Sequence, residues 1–317
     1  MSELEVLTVG RIGVDLYAED IGVPLERVRS FAKSIGGSPT NVAVAAARLG
    51  RRSAVFTAVG SDELGAYVRS ALAGFGVDTR FVGAHPTLRT PIVIATLDPP
   101  DDPWFVFYRE PKAPDMEIRV DDVDLGVARS VPILWVSAGA LADEPSRSTV
   151  RTLLRERARR AETILDLDYR PSFWRSEDEA RATIGAAVDG ATVAVGNRTE
   201  CEIAVGESDP DAAADALLER GVSLALVKQG GDGVLVATAD ERRVLPPVPV
   251  DVVCALGAGD AFGGALCHGL LAGWDPFTAA EFANAAGALV ASRLLCADAM
   301  GTEDEVRALL EESRARR

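Results

Sequence analysis

The chain has 317 residues, of which 48% are hydrophobic and 26% charged; this composition fits one large globular domain and excludes a disordered chain. The formal charge of −15 leaves no basic surface for nucleic acid or an anionic membrane, so a negatively charged substrate would need local arginines. No run of 18 apolar residues occurs and residues 1–10 do not resemble a signal peptide, so we expect a cytoplasmic protein.

Cysteine and histidine usage argues against a zinc site. The four cysteines are scattered through apolar segments without metal-ligand spacing, which favours reduced, buried thiols. His85 and His268 are the only histidines, so the chain offers few candidates for a catalytic triad that contains histidine.

The first predicted strand, residues 4–9, runs directly into a segment with two glycines, residues 10–15. The glycines would let the backbone come close to a ligand, and the Asp15 carboxylate offers acceptors for sugar hydroxyls. A plain turn is the alternative interpretation.

A second glycine motif, Gly36-Gly37, precedes Asn41 and a run of small residues over 42–49. The run predicts a buried helix that packs tightly on a sheet. We expect Gly37 to bring its backbone against a ligand that Asn41 hydrogen-bonds; the alternative is that Asn41 only caps the helix.

Strands and helices then alternate along the chain, which predicts an α/β fold with a largely parallel sheet. The predicted strands lie at residues 54–59, 131–136, 163–168, 193–195 and 224–227, and predicted helices include 64–75 and 144–160.

The alternation breaks at residues 91–97 and 104–109, which predict two strands with no helix between them. An inserted hairpin of this kind often covers a site, and residues 12–17 and 28–35 are expected to pair with it. We therefore expect a single domain over 1–317 with lid segments at roughly 12–35 and 90–111. The exposed edges of such a lid make a homodimer through paired lids possible.

Arginines near this region are candidates for binding an acid. Arg109 ends the hairpin, although a solvated arginine on an edge strand is an equal alternative. Arg170 follows a predicted strand whose carboxyl end carries several charges, which is where open α/β sheets bind ligands.

Two later turns carry further candidates. Asn197 and Glu200 face the same way on a first helical turn, where they form either a capping box or a hold on the waters of Mg²⁺. Lys228 precedes a turn with Gly230 and Gly233; a lysine there suits a polyphosphate, although a hairpin alone explains the glycines.

The sequence Gly257-Ala258-Gly259-Asp260 is predicted to connect a strand at residues 248–254 to a helix at 261–272. Backbone N–H groups at such a helix start form a site for an anion such as a phosphate. Asp260 would lie beside that anion and is well placed to take a proton from an attacking hydroxyl. A glycine turn with Asp260 as a helix cap is the alternative.

Taken in order, these motifs resemble the ribokinase (PfkB) family of carbohydrate kinases over essentially the whole chain. The motifs are Gly10…Asp15, Gly36-Gly37…Asn41, Asn197-x-x-Glu200, Lys228-x-Gly230-x-x-Gly233 and Gly257-Ala258-Gly259-Asp260. The resemblance implies a three-layer ribokinase-like fold with a small β lid, and an enzyme that uses ATP and Mg²⁺.

The family resemblance also implies roles for these residues. Asp260 would be the catalytic base, and the amides of Gly257, Ala258 and Gly259 would form the anion hole. The remaining roles follow the family pattern: Asn197 and Glu200 would hold Mg²⁺ through water, Lys228, Gly230 and Gly233 would contact ATP, Asn284 would lie near adenine, and Asp15, Gly37 and Asn41 would hold the sugar hydroxyls.

Within the family, several segments are most similar to the kinases that phosphorylate 5-dehydro-2-deoxygluconate in inositol catabolism. They include Pro99-Pro100-Asp101-Asp102, Phe107-Tyr108-Arg109 and Asp166-Leu167-Asp168-Tyr169-Arg170. Kinases of 2-keto-3-deoxygluconate share the Tyr-Arg and Asp-x-x-x-Arg features and are the alternative. A sugar acid needs cations at its carboxylate, and Arg109 and Arg170 are the candidates.

One departure from the family pattern precedes Gly257. Many members carry Asp-Thr-Thr where this chain has Cys254-Ala255-Leu256, which leaves the family's monovalent-cation site uncertain. The same departure prompts an alternative from another class, a sugar-binding regulator that has lost catalysis. The retained Asp260 argues against that alternative.

Overall fold

A computed structural model describes residues 3–99 and 103–316. Within them, nine strands form a large sheet in the order β13-β12-β11-β10-β9-β8-β1-β4-β5, and four form a small sheet in the order β3-β2-β6-β7. The strands are β1 Val6–Val9, β2 Gly13–Ala18, β3 Phe31–Gly36, β4 Ser53–Gly60, β5 Val82–His85, β6 Ile92–Thr96, β7 Trp104–Tyr108, β8 Ile133–Ser137, β9 Glu162–Asp166, β10 Val193–Asn197, β11 Leu224–Lys228, β12 Val234–Ala237 and β13 Arg242–Leu245.

Helices follow most strands of the large sheet. They are α1 Ser38–Arg48, α2 Glu63–Gly74, α3 Leu125–Ser130, α4 Ser146–Arg157, α5 Glu177–Val188, α6 Arg198–Val205, α7 Pro210–Glu219, α8 Ala258–Leu271, α9 Pro276–Ala291 and α10 Glu303–Ala315. In the described part of the chain, no helix is both long and apolar enough to cross a bilayer.

The large sheet is buried on both faces, which produces three layers. Successive residues of β8 point to opposite sides, so Ile133 and Trp135 join one hydrophobic cluster while Leu134 and Val136 join the other. The first cluster includes residues of α1, α8 and α9, and the second includes residues of α4 to α7. Both faces are apolar because β-branched and leucine residues fill the strands, as is typical of parallel sheets.

The large sheet is mostly parallel, as the alternation of elements predicts. Strands β5, β4, β1, β8, β9, β10 and β11 pair in parallel. Only β12 and β13 among the described strands of this sheet pair in the antiparallel direction. The carboxyl ends of the parallel strands therefore lie at one edge, which is where ligands bind in such sheets.

The small sheet consists of strands from the two predicted lid segments. Strand β2 pairs with β3 and β6, and β6 forms a hairpin with β7. The expected pairing with the hairpin is therefore confirmed for residues 12–17, whereas residues 28–35 contribute β3, which pairs with β2 and not with the hairpin. Residues 100–102, between β6 and β7 in the sequence, lie outside the described residues. The motif Pro99-Pro100-Asp101-Asp102 can therefore be judged only from its sequence.

The strand predicted at residues 248–254 is wrong. Residues 246–257, all of which the structure describes, form a loop. Pro246, Pro247 and Pro249 lie in this stretch and cannot donate the backbone hydrogen bonds of a ladder. The loop is instead anchored to α9, because the N–H groups of Val253 and Cys254 both donate to the carbonyl of Ala291.

A buried ion pair ties the small sheet to the loop that follows β1. Asp115 is fully buried and accepts hydrogen bonds from Arg109 Nη2 at 2.5 Å and Nη1 at 3.2 Å. Its Oδ2 also accepts from the backbone N–H of Ile12 at 3.1 Å. Arg109 thus fixes the end of β7 rather than lying solvated on an edge strand.

We predict that Asp115→Asn destabilises the protein by about 3 kcal/mol, because it leaves the Arg109 charge without its partner in a buried site. Urea unfolding of the two proteins measures this difference. Glu156→Gln is the matched control, since Glu156 pairs with Arg129 on the exposed surface of the protein, where water screens an ion pair, and it should leave stability nearly unchanged. Equal losses in the two variants would contradict the buried role of Asp115.

Candidate active site

A cavity of about 430 Å³ lies at the carboxyl edge of the large sheet, next to the small sheet. Most of the residues predicted from the sequence to bind ligands line it: Asp15, Gly37, Asn41, Arg170, Asn197, Glu200, Lys228, Gly230, Gly257, Gly259 and Asp260. Strands β1, β9, β10 and β11 all end at this edge, which brings the residues that follow them together. Asp15 on β2 and Asp260 on α8 line the same cavity.

Helix α8 begins at the cavity with unsatisfied backbone donors. Its N-cap is Gly257, which has a φ of 78° and gives the helix no side-chain cap. The first N–H groups of a helix have no partner within it and carry the positive end of its dipole. Lys228 extends towards the same place, since its Nζ lies 3.2 Å from the Cβ position that Gly259 lacks. This end of the cavity is therefore suited to an anion.

Asp260 lies in the first turn of α8, as the sequence predicts. Asn41 Nδ2 donates a hydrogen bond to Asp260 Oδ2 at 2.8 Å, so the two glycine motifs meet at this carboxyl. Burial raises the pKa of Asp260, although hydrogen bonds from Asn41 and Ser38 oppose the shift. A carboxyl with a raised pKa is a better proton acceptor than an exposed aspartate.

Asp15 lies on β2 at the small-sheet side of the cavity. Tyr17 donates its hydroxyl hydrogen to Asp15 Oδ2 at 3.0 Å. Burial raises the pKa of Asp15 to about 6, while the bond from Tyr17 and the charge of Arg11 act in the opposite direction.

Two further aspartates lie at the carboxyl end of β9, where Asp166 is the last residue of the strand and Asp168 comes two residues later. Burial raises the pKa of Asp166 to about 7, and Ser38 Oγ donates to its Oδ2 at 3.0 Å. Burial would also raise the pKa of Asp168, but Arg11 and Arg170 outweigh it and hold that pKa well below its ordinary value. The two guanidinium groups therefore favour the ionised form of Asp168, whereas burial favours the protonated form of Asp166.

Asn197 and Glu200 form a reciprocal capping box at the start of α6. The Asn197 side chain accepts from the Glu200 N–H at 2.9 Å, and Glu200 Oε2 accepts from the Asn197 N–H at 2.7 Å. Glu200 Oε1 faces Arg170 Nη1 at 3.7 Å. Both residues also line the cavity, so the same side chains can cap α6 and contact waters bound to a metal ion.

Four residues predicted to bind ligands do not line the cavity: Arg109, Ala258, Gly233 and Asn284. Arg109 is held by Asp115. Gly233 has a φ of 94° and packs against the backbone of Leu245, and Asn284 donates to the Pro246 carbonyl at 2.8 Å. These contacts are made within the chain, and the roles of Gly233 and Asn284 in binding ATP stay predictions.

Sequence reasoning missed several residues that line the cavity, chiefly Arg11, Ser38, Asp166 and Asp168. The aspartates had a visible signal, because they alternate at the carboxyl end of a buried strand. Arg11 had a weaker one, a single arginine between two glycines after β1. The pairing of Arg11 with Asp168, 157 residues away, left no local pattern.

Comparison with known proteins identifies the family. A family model described as pfkB family carbohydrate kinase matches residues 3–303. The 5-dehydro-2-deoxygluconokinase of Geobacillus thermodenitrificans is 31% identical, over 99% of this chain and 95% of its own. The chain belongs to the pfkB family of carbohydrate kinases. It is a phosphotransferase that acts on a sugar, as the motifs predict.

Solved structures confirm the ribokinase-like fold. Fructokinase from Vibrio cholerae O395 with fructose, ADP and a calcium ion is 28% identical, with a TM-score of 0.86 over 98% of this chain and 100% of that one. A putative ribokinase II from E. coli in complex with ATP and Mg²⁺ is 24% identical, with a TM-score of 0.88 over 98% and 99% of the two chains.

The raised pKa values of two carboxyls in the cavity predict how they contribute to stability at each pH. The pKa of Asp15 rises from 3.8 to about 6 and that of Asp166 to about 7, so these two groups bind more protons in the ligand-free folded protein than in the unfolded chain between about pH 4 and 7. Their contribution to stability should therefore fall as the pH rises through this window. For Asp15 the fall is on the order of 2–3 kcal/mol, at about 1.4 kcal/mol for each pKa unit.

Urea unfolding at a series of pH values measures this slope. Asp15→Asn should flatten it between about pH 4 and 6, whereas Asp240→Asn, at an exposed position, should keep it. A slope that Asp15→Asn leaves unchanged would contradict the assignment.

Proposed function

We propose that the enzyme transfers the γ-phosphoryl group of ATP to the terminal hydroxyl of a sugar acid, with 5-dehydro-2-deoxygluconate as the substrate. One observation carries the proposal: the Asp260 carboxyl and the uncapped start of α8 share one cavity with Asp15 and Asn41. A base, an anion site and acceptors for hydroxyl groups are the parts that phosphoryl transfer to a sugar requires. The relatives named 5-dehydro-2-deoxygluconokinase support the choice of acid.

Asp260 would act as the general base. It takes the proton from the sugar hydroxyl as the hydroxyl oxygen attacks the γ-phosphorus, and the bond from that phosphorus to the β,γ-bridging oxygen breaks. Asn41 orients the Asp260 carboxyl through its 2.8 Å hydrogen bond. The amides of Gly257, Ala258 and Gly259 would stabilise charge on the transferred group, because their N–H groups begin α8 without a side-chain cap.

The cavity fits ATP and Mg²⁺. Lys228 stays a cation, because Glu200, Asp166 and Asp260 raise its pKa against the opposing effect of burial, and it would contact the ATP phosphates with Gly230. Among the described residues, no group of three or more His, Cys, Asp or Glu side chains is arranged to hold a metal ion. Mg²⁺, which prefers to keep several waters, would therefore be held through water by Asn197 and Glu200 and would neutralise phosphate charge.

The proposal extends to assembly and location. Trp104 and Tyr108 on the edge strand β7 are exposed by 60% and 58%, which supports a homodimer that pairs the small sheets of two copies. Sedimentation tests this assembly: the wild type should sediment as a dimer and Tyr108→Arg as a monomer. A monomeric wild type would contradict the dimer.

The four cysteines are buried free thiols, which supports a cytoplasmic location.

We predict that Asp260→Asn lowers kcat by about 10²- to 10⁴-fold, because the variant removes the general base. ADP release with Mg·ATP measures turnover on 5-dehydro-2-deoxygluconate, 2-keto-3-deoxygluconate and fructose. The wild type should prefer the first acid, and Asp240→Asn should match it.

Each other outcome is informative. Full activity of Asp260→Asn would contradict the role of the base. A preference for 2-keto-3-deoxygluconate would show that the substrate is this other sugar acid. Turnover of fructose alone would support a sugar kinase but contradict a sugar acid as its substrate. Sugar binding without ADP release from any of the three would favour a silent regulator.

A further inference from the structure

Arg11 is a buried cation at the end of the cavity where Asp15 and Gly37 lie. Its side chain is 7% exposed, and it lines the cavity directly after β1. Its backbone is fixed there, because Thr40 Oγ1 donates to the Arg11 carbonyl at 3.0 Å and a Cβ on Gly37 would overlap the same carbonyl. Arg11 therefore lies where the segment at residues 10–15 meets the Gly36-Gly37 motif, the two segments that are proposed to hold the sugar.

The guanidinium of Arg11 has more donors than the chain satisfies. It carries five N–H groups, of which Nη2 donates to Asp168 at 2.5 Å. Nε is buried beside Gly139, and the ring of Phe173, 4.8 Å from Cζ, covers the guanidinium. Nη1 has no hydrogen-bond partner among the described residues and is not a buried atom, so it is the donor that an acceptor in the cavity would pair.

The other two arginines near the cavity are already balanced by carboxylates. Arg170 lies between Asp168 at 3.3 Å and Glu200 at 3.7 Å, on the side where Lys228 also interacts with Glu200. Arg109 is paired with the buried Asp115 at 2.5 Å and does not line the cavity. In the described part of the chain, Arg11 forms an ion pair with Asp168 alone, and it shares this carboxylate with Arg170.

We infer that Arg11 binds the carboxylate of the sugar acid and selects acids over neutral sugars. The inference rests on the proposed function and assigns the selection to a residue other than Arg109 and Arg170. A planar guanidinium matches the two oxygens of a carboxylate better than an ammonium group does. Asp15 interacts with the charges of both Arg11 and Asp260, so a sugar that reaches from Arg11 to the base passes Asp15.

Steady-state kinetics with a matched pair of compounds tests the inference. The pair is 5-dehydro-2-deoxygluconate and its primary-alcohol counterpart, which lacks only the carboxylate and is measured both as substrate and as inhibitor. Arg11→Lys should raise KM for the acid by about 10- to 100-fold, the loss expected for a charge-assisted pair. KM for ATP and the affinity for the alcohol should stay within about twofold of wild type.

Two variants serve as controls and a fallback. Arg243→Lys changes an arginine on the exposed surface and should leave all constants unchanged. Gly139→Ala retains the Arg11 side chain but adds a Cβ that would lie 2.9 Å from Arg11 Nε, so the guanidinium has to shift. It should reduce the preference for the acid in the same direction as Arg11→Lys, and it decides the question where Arg11→Lys fails to fold.

The outcomes separate this inference from the proposed function. If Arg11 has a purely structural role, its replacement should weaken the binding of the acid and of the alcohol alike. An unchanged ratio of the two affinities in Arg11→Lys, or in Gly139→Ala where Arg11→Lys does not fold, overturns the inference and leaves the proposed function intact. A wild type that binds and phosphorylates the alcohol as well as the acid overturns the proposed substrate class and the inference together.

Discussion

The balance of charge inside one cavity is the constraint on which the rest of the site depends. Among the described residues, five carboxyl groups and three cations line it: Asp15, Asp166, Asp168, Glu200 and Asp260 with Arg11, Arg170 and Lys228. Removing a carboxylate from water is costly, so burial raises the pKa of Asp15, Asp166 and Asp260. The pKa of Asp168 is lowered instead, because two guanidinium groups meet this carboxyl.

The groups that lack partners describe the ligands that would complete the site. The start of α8 has no side-chain cap, and Arg11 Nη1 has no hydrogen-bond partner among the described residues. An anion and a carboxylate would satisfy them in turn. A phosphorylated nucleotide together with a sugar acid supplies both, which is why the fold and the proposed chemistry agree.

Local signals explain what the sequence could predict. The alternation of apolar strands and helices indicates the parallel sheet, and the glycines around Asp260 indicate a helix start, because both patterns depend on neighbouring residues. The site could be inferred from strand ends, since parallel strands bring their carboxyl ends together whatever lies between them.

What could not be predicted depends mainly on contacts between distant segments. Asn284 bonds to a carbonyl 38 residues away, and Arg11 pairs with Asp168 across the sheet. Arg109 resembles a ligand-binding arginine in the sequence, and although its partner Asp115 is only six residues away, the sequence does not show that Asp115 is buried. The error at residues 248–254 was of another kind, because Pro249 was visible but the four valines of the segment dominated the pattern.

A crystal structure of the enzyme with 5-dehydro-2-deoxygluconate and a non-hydrolysable ATP analogue tests the central claim most directly. The account predicts the terminal hydroxyl within about 2.6–3.2 Å of the Asp260 carboxyl, with the γ-phosphate at the start of α8. A sugar whose terminal hydroxyl lies against a different carboxyl, or a nucleotide whose phosphates lie away from Gly257 and Gly259, would contradict it.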